Sequence, residues 1–284
     1  MNTDVFYEKR IMNTSRCYIE YVCDHFNKRL RIDDYRGNVL LVIEEMLKER
    51  EKHQYEKLIF KSKFEHVSSF ISNGFQLEAL IPDYFNGSTA YFMTQYFETA
   101  RHQTEKWIEE DQIIQSVKRL PLSLDLIALS SSYVKGFATV DDANELASLY
   151  QTVFEIYPAP LHHPNYVKGL LEEGAVFAII RHNNRIISAA SAEVNETYHN
   201  AELTDCATLP EYRKHGLMKH LLVALEENLA SRQIFCVYTI ARSLSFGMNA
   251  AFYQLGYEYY GRLTNNCFIF DKLEDMNVWT KNLA

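Results

Sequence analysis

Apolar positions along the chain recur every second residue in some stretches and with helical spacing in others. Residues 16–22 and 29–35 alternate and predict strands, the second closed by a turn at Arg36-Gly37-Asn38. From Val39 to His53 the residues Leu40, Val42, Ile43, Met46 and Leu47 fall at helical spacing. Residues 58–60 predict a short buried strand and 65–72 a helix stopped by Asn73-Gly74. A strand at 75–81, a turn at 86–88, a strand at 90–97 and a helix at 102–118 follow. Residues 121–132, with a serine run at 130–132, predict a connector.

Beyond the connector, 133–138 predicts a strand. Thr139-Val140-Asp141-Asp142 reads as a capping box that opens a helix to about Phe154, broken by Tyr157-Pro158-Ala159-Pro160. A helix at 164–173 leads to a hairpin of 176–181 and 185–194 about Asn183-Asn184. Then come a strand at 201–208, a helix at 217–230, a strand at 234–240, a helix at 248–255 stopped by Gly256, and strands at 257–260 and 267–271. A mixed sheet with helices on both faces, an α/β fold of the α+β mixed-sheet kind, packs this order. Residues 29–97 and 201–271 share one order of elements, with Gly74 matching Gly256 and Phe75 matching Tyr257. This reads as a duplication, with domains at 1–130 and 131–284.

Composition narrows the function. The 284 residues carry a net charge of −8, with −3 in residues 1–130 and −5 in the remainder. Neither half is basic, so a nucleic-acid surface is not expected, because phosphate binding needs clustered Lys and Arg. An anionic membrane fits equally poorly. No apolar run approaches the ~18 residues of a membrane span, and the first ten residues lack the apolar stretch of a signal peptide. The five cysteines, Cys17, Cys23, Cys206, Cys236 and Cys267, form no Cys-x-x-Cys. An odd set without that motif predicts reduced thiols and a cytoplasmic protein. His162-His163 has no metal-ligand spacing, and no metal is expected.

The sharpest chemical signal lies between the strand ending near Thr208 and the helix beginning near Leu217: Arg213-Lys214-His215-Gly216-Leu217-Met218. Free N–H groups and the positive end of the helix dipole favour an anion at such a start. Gly216 lets backbone approach a phosphate, while Arg213 and Lys214 add charge. The loop resembles the Arg/Gln-x-x-Gly-x-Gly/Ala pyrophosphate loop of the GNAT acetyltransferases, departing from it at Met218. Asn249-Ala250-Ala251-Phe252-Tyr253-Gln254-Leu255-Gly256-Tyr257 resembles that family's second signature. The resemblance covers about 133–272. It implies the GNAT acyl-CoA N-acyltransferase fold, preceded by a degenerate half-GNAT-like N-terminal domain, and acetyl-CoA as co-substrate. It also implies that Cys206, Ala207 and Thr208 lie along the cofactor and offer a backbone N–H to the oxyanion. Asn249 would touch the CoA arm, and Tyr253 would protonate the leaving thiolate.

Residues 202–213, 239–243 and 81–87 resemble the β-lysine N-acetyltransferases, which act on the 6-amino group. This implies a small-molecule amine, β-lysine, as acceptor, in lysine metabolism or compatible-solute synthesis. A protonated amine needs a base before attack. Glu202 is the first candidate and Asp205 the second, with a water chain as the alternative. They are three residues apart, on opposite faces of a regular strand unless a bulge intervenes. Asp205 is also a candidate to hold a substrate ammonium. Arg242 is the candidate for the substrate carboxylate, with Tyr157, Tyr84 and Asn86 as further contacts. The N-terminal half has only Asp33-Asp34-Tyr35-Arg36-Gly37-Asn38 where a phosphate loop would fall, so it is expected to bind no CoA. A polyamine or protein-lysine acetyltransferase, or a non-catalytic acyl-CoA sensor, remains an alternative, and a homodimer is left open.

Overall fold

The computed structural model describes residues 6–124, 126–270 and 272–284. The first half contains β1 (Tyr7–Asn13), β2 (Cys17–Asp24), β3 (Arg29–Gly37), α1 (Val39–His53), β4 (Lys57–Ser62), α2 (Val67–Ser72), β5 (Gln76–Phe85) and β6 (Ser88–Tyr96). Helices α3 (Thr99–His102) and α4 (Trp107–Val117) lead to the second half. That half contains β7 (Tyr133–Phe137), α5 (Ala143–Val153), α6 (Pro164–Glu172), β8 (Val176–His182), β9 (Arg185–Asn195), β10 (Asn200–Thr208), α7 (Leu217–Ser231), β11 (Cys236–Arg242), α8 (Phe246–Gln254), β12 (Glu258–Ile269) and β13 (Lys272–Asn282).

The strands form one sheet in the order β1-β2-β3-β4-β6-β5-β12-β13-β11-β10-β9-β8-β7. Read inward from either side, the halves match once the outermost strand, β7, is set aside. Each has one parallel pair, β3–β4 or β10–β11, flanked by antiparallel pairs. They join where β5 meets β12 at Ala79 and Gly261. Gly261 has φ +127, and a Cβ there would lie 2.7 Å from the Ala79 Cα and still nearer the Glu78 carbonyl oxygen. Only glycine fits that backbone and that approach.

Local signals explain most elements. The Asn38 side chain accepts from the N–H groups of Leu40 and Leu41 to start α1. Thr139 and Asp142 form the expected capping box. Asn183 and Asn184, at φ +51 and +61, make the hairpin turn. Three expectations need correction. The helix expected over 102–118 is split into α3 and α4, because the Asn265 amide grips the carbonyls of Ala100, Arg101 and Gln103 at 3.3, 3.1 and 2.7 Å. The strands expected at 257–260 and 267–271 are one irregular strand, β12, with Asp271 outside the described residues. Strands β1 and β13 escape the hydrophobic pattern. In β13 the polar residues Glu274, Asp275 and Asn277 are themselves buried.

Helices α1 and α2 cover one face of the first half around Leu30, Val42, Phe60 and Phe70. Helices α5–α7 build the larger core of the second half, around Leu146, Tyr150, Phe177, Leu221 and Leu225. A third core belongs to both halves: Ile59, Ile81 and Phe92 pack with Tyr238, Leu263, Met276 and Val278. The face of β3 that points away from α1 is left free to line a cavity.

Candidate active site

Strand β10 carries an extra residue between Thr204 and Ala207 where it faces β9. Asp205 absorbs it with φ +51, a left-handed conformation that Asp tolerates better than most residues. The buried Tyr150 hydroxyl donates to the Asp205 carbonyl at 2.8 Å and holds the bulge. A regular strand would send Glu202 and Asp205 to opposite faces. The bulge brings both into the wall of one cavity. Parallel pairing of β10 with β11 ends at Glu202–Tyr238, although both strands run on. The two strands therefore part beyond that point and leave backbone donors of β10 without a ladder partner from β11.

The cavity holds about 180 Å³ and lies between the halves of the molecule. Glu193, Glu202 and Asp205 come from the second half, as does Tyr157, while Arg29 and Arg31 come from β3. Asp205 is buried. Tyr157 donates to its Oδ1 at 3.0 Å and Ser191 to its Oδ2 at 2.7 Å. Burial, reinforced by the charge of Glu193, pushes its carboxyl up to about 7 in spite of those two donors. Glu202 sits directly across from Glu193 in the β9–β10 register. Burial and that like charge raise its carboxyl too, while the nearby Lys61 and Arg31 work the other way. On β3, Asp33 accepts from Arg31 Nε at 2.9 Å and Nη2 at 3.1 Å, and lies 2.9 Å from Lys61 Nζ. Burial disfavours the Asp33 charge, but the two cations outweigh it and hold the carboxyl low.

The loop before α7 leads into a helix start at Gly216. Gly216 is the N-cap of the 15-residue α7, with φ +74, no side-chain cap and no acidic residue in the first turn. Arg213, Lys214 and His215 are exposed beside it. Arg213 Nε donates to the Thr208 carbonyl at 3.2 Å, and His215 Nδ1 lies 2.9 Å from the Tyr133 hydroxyl. Leu217 is buried and Met218 packs against the core, so Met218 does not fill the loop. An uncapped helix start flanked by cations suits the pyrophosphate of acetyl-CoA.

Other candidates are placed elsewhere. Asn249 is fully buried, and both ends of its amide are engaged. It donates to the Arg242 and Ser245 carbonyls at 2.9 and 2.8 Å and accepts from Asn277 and Trp279 at 2.9 and 2.8 Å. It braces α8 against β11 and β13. The Tyr253 hydroxyl donates to the Lys118 carbonyl at 2.9 Å. Arg242 is 3.0 Å from Glu274 and lies over the Phe270 ring, away from the cavity lining. Tyr84 is buried with Lys61 donating to it at 3.0 Å, and Asn86 donates to the Thr197 carbonyl at 3.2 Å in an exposed turn. Neither lines the cavity. Sequence reasoning missed Arg29, Arg31 and Glu193. The spacing of Arg29 and Arg31 puts them on one face of a strand, but only the opposing half shows what that face meets. Elsewhere, Cys23, Glu49 and His53 approach within 4.8 Å, with Glu49 already paired to Arg10 at 2.8 Å.

Comparison with known proteins gives a consistent picture. The family described as "Acetyltransferase (GNAT) family" matches residues 143–257. The N-acetyltransferase YodP of Bacillus subtilis is 38% identical over 264 residues, 92% of this chain and 96% of that one. A protein of Methanosarcina mazei named beta-lysine N(6)-acetyltransferase is 35% identical over 230 residues, 74% of this chain and 85% of its own. One of the same name from Methanococcus maripaludis is 35% identical over 212 residues, 75% and 77% of the two chains.

Proposed function

The chain belongs to the GNAT acetyltransferase family and is an acetyl-CoA N-acetyltransferase, and from that premise we propose that it acetylates the distal amine of β-lysine, with Asp205 as the base. The observation that carries the reading is Asp205 itself: a buried carboxyl tuned to about 7, opening on a small cavity lined by charges of both signs. A base poised near the working pH is half-ionised and can accept an ammonium proton. The two relatives named for β-lysine support the acceptor.

Acetyl-CoA supplies the thioester that the amine attacks. Arg213, Lys214 and the first N–H groups of α7 hold its pyrophosphate, and the freed edge of β10 at Cys206–Thr208 offers N–H groups to the oxygen where charge gathers. Cys206 is not the nucleophile. Burial and the neighbouring Asp205 push its thiol far up, and only a thiolate would attack. This favours direct attack by the amine. Tyr253 is assigned as the acid for the departing thiolate, and Tyr253→Phe is expected to lower kcat about 100-fold. Acetylation removes one positive charge from β-lysine and leaves a zwitterion of no net charge. That agrees with a cytoplasmic role in lysine metabolism or compatible-solute synthesis, and we read the first 130 residues as the half that helps to bind the acceptor. The test is release of CoA thiol with β-lysine, α-lysine, polyamines and lysine peptides. β-Lysine should give the highest kcat/KM; a polyamine or peptide above it would overturn the acceptor and leave the family activity standing.

A further inference from the structure

We propose that the cavity contains a subsite for the β-amino acid headgroup, built across the two halves: Arg31 binds the substrate carboxylate, and Glu202 beside Glu193 binds its β-ammonium. The proposal deepens the β-lysine reading and rests on it.

Arg31 is prepared for an anion. Asp33 takes its Nε and Nη2, which fixes the plane of the guanidinium. Nη1 has no hydrogen-bond partner among the described residues, and the side chain is 32% exposed, toward the cavity it lines. Asp33 also pairs with Lys61, so two cations share one carboxylate and one positive charge is left over. Arg29 differs: Asp24 matches it at 2.8 Å, and its Nη1 donates to the Asn266 carbonyl at 3.0 Å. Each arginine in the lining keeps one terminal nitrogen without a partner among the described residues, but only Arg31 shares its carboxylate with a second cation.

The facing wall has the opposite imbalance. Glu193 and Glu202 are cross-strand neighbours with like charge, a destabilising arrangement by itself. Neither makes an ion pair among the described residues. Arg31 and Glu202 are close enough for each charge to favour the other, yet they do not reach ion-pair distance. A molecule that carries a carboxylate and an ammonium on neighbouring carbons spans such a gap and gives each side its partner. Asp205 lies three residues further along the same strand, across the bulge, and lines the same cavity. A chain that leaves the headgroup there delivers its far amine to Asp205. The N-terminal half thus contributes specificity without binding CoA.

The experiment compares three acceptors: β-lysine, 1,4-diaminopentane, which lacks only the carboxylate, and 6-aminohexanoate, which lacks only the β-amine. Wild type should favour β-lysine over either by about 100-fold in kcat/KM, the worth of one good charge-assisted pair. Arg31→Gln should collapse the preference for β-lysine over 1,4-diaminopentane, mainly through KM, and Arg31→Lys should restore part of it. Glu202→Gln should instead collapse the preference for β-lysine over 6-aminohexanoate. Calorimetric binding of acetyl-CoA checks that the variants are folded. If wild type prefers β-lysine but Arg31→Gln lowers β-lysine and 1,4-diaminopentane equally, the subsite is overturned and the substrate stands. If wild type turns over polyamines faster than β-lysine, the substrate reading itself falls.

Discussion

Asp205 is a carboxyl group that the fold holds against its own ionisation, and this has two separable consequences. As a base it works only when unprotonated, so kcat/KM should rise with pH through about 7 and then level. Asp205→Asn should remove that limb and lower kcat about 100- to 1000-fold, as read in a pH–rate profile. For stability the sign is opposite. An ordinary Asp titrates near 4, so between about pH 4 and 7 the folded state keeps a proton that the unfolded state has lost. Stability falls as pH rises through this window, by at most about 4 kcal/mol, and the penalty is complete above 7. Asp205→Asn should therefore melt higher than wild type at pH 8, with the difference gone below pH 4. An Asn variant that melts lower at pH 8 would show that the carboxylate is not strained. That Glu202 and Asp205 share one cavity was not legible in the sequence, because a period of two assigns faces only on a regular strand. The bulge depends on β9 slipping by one residue and on Tyr150 reaching the Asp205 carbonyl. The loop before α7 was legible as a candidate anion site because its features are local: a glycine, two cations and a helix start within six residues.

Among the elements, two glycines have positive φ for different reasons, and substitution separates them. Gly216 starts α7 in open space, with nothing within 4 Å of an added Cβ. Gly216→Val should cost folding about 1 kcal/mol from backbone conformation and weaken acetyl-CoA binding by calorimetry, with little change in the KM for the amine. Gly261 joins β5 to β12 at a contact too close for any side chain. Gly261→Ala should lower stability by several kcal/mol in denaturant titration, since both strain and collision apply. If Gly261→Ala costs no more than Gly216→Val, the join carries little of the stability. Helices and hairpins were readable from spacing and caps, as α1 and the Asn183-Asn184 turn show. Strand β13 was not, because it buries Glu274, Asp275 and Asn277 against partners from distant segments, which no local hydrophobic pattern reveals.

For the whole molecule, one continuous sheet and the core shared by Ile59, Phe92, Tyr238 and Met276 join the halves. Lys57 shows how closely they are joined: fully buried, it lies 3.0 Å from Glu78 and donates to the Thr264 carbonyl at 2.7 Å. A chain truncated to residues 131–284 would expose that core and lose the β3 wall of the cavity. It should show no cooperative calorimetric transition. A fragment that melts cooperatively and keeps the parent KM for β-lysine would refute the role given to the first half. The shared order of elements was visible in the sequence, but the cavity between the halves was not, since neither half contains it alone. One of the carboxylates that line this cavity, Asp205, also bears on turnover. It is placed for the distal ammonium, and acetyl transfer turns that cation into a neutral amide. The finished molecule can no longer give Asp205 its counter-charge, so the group that draws the substrate in holds the product more weakly, and the enzyme should clear its site without a separate device for release.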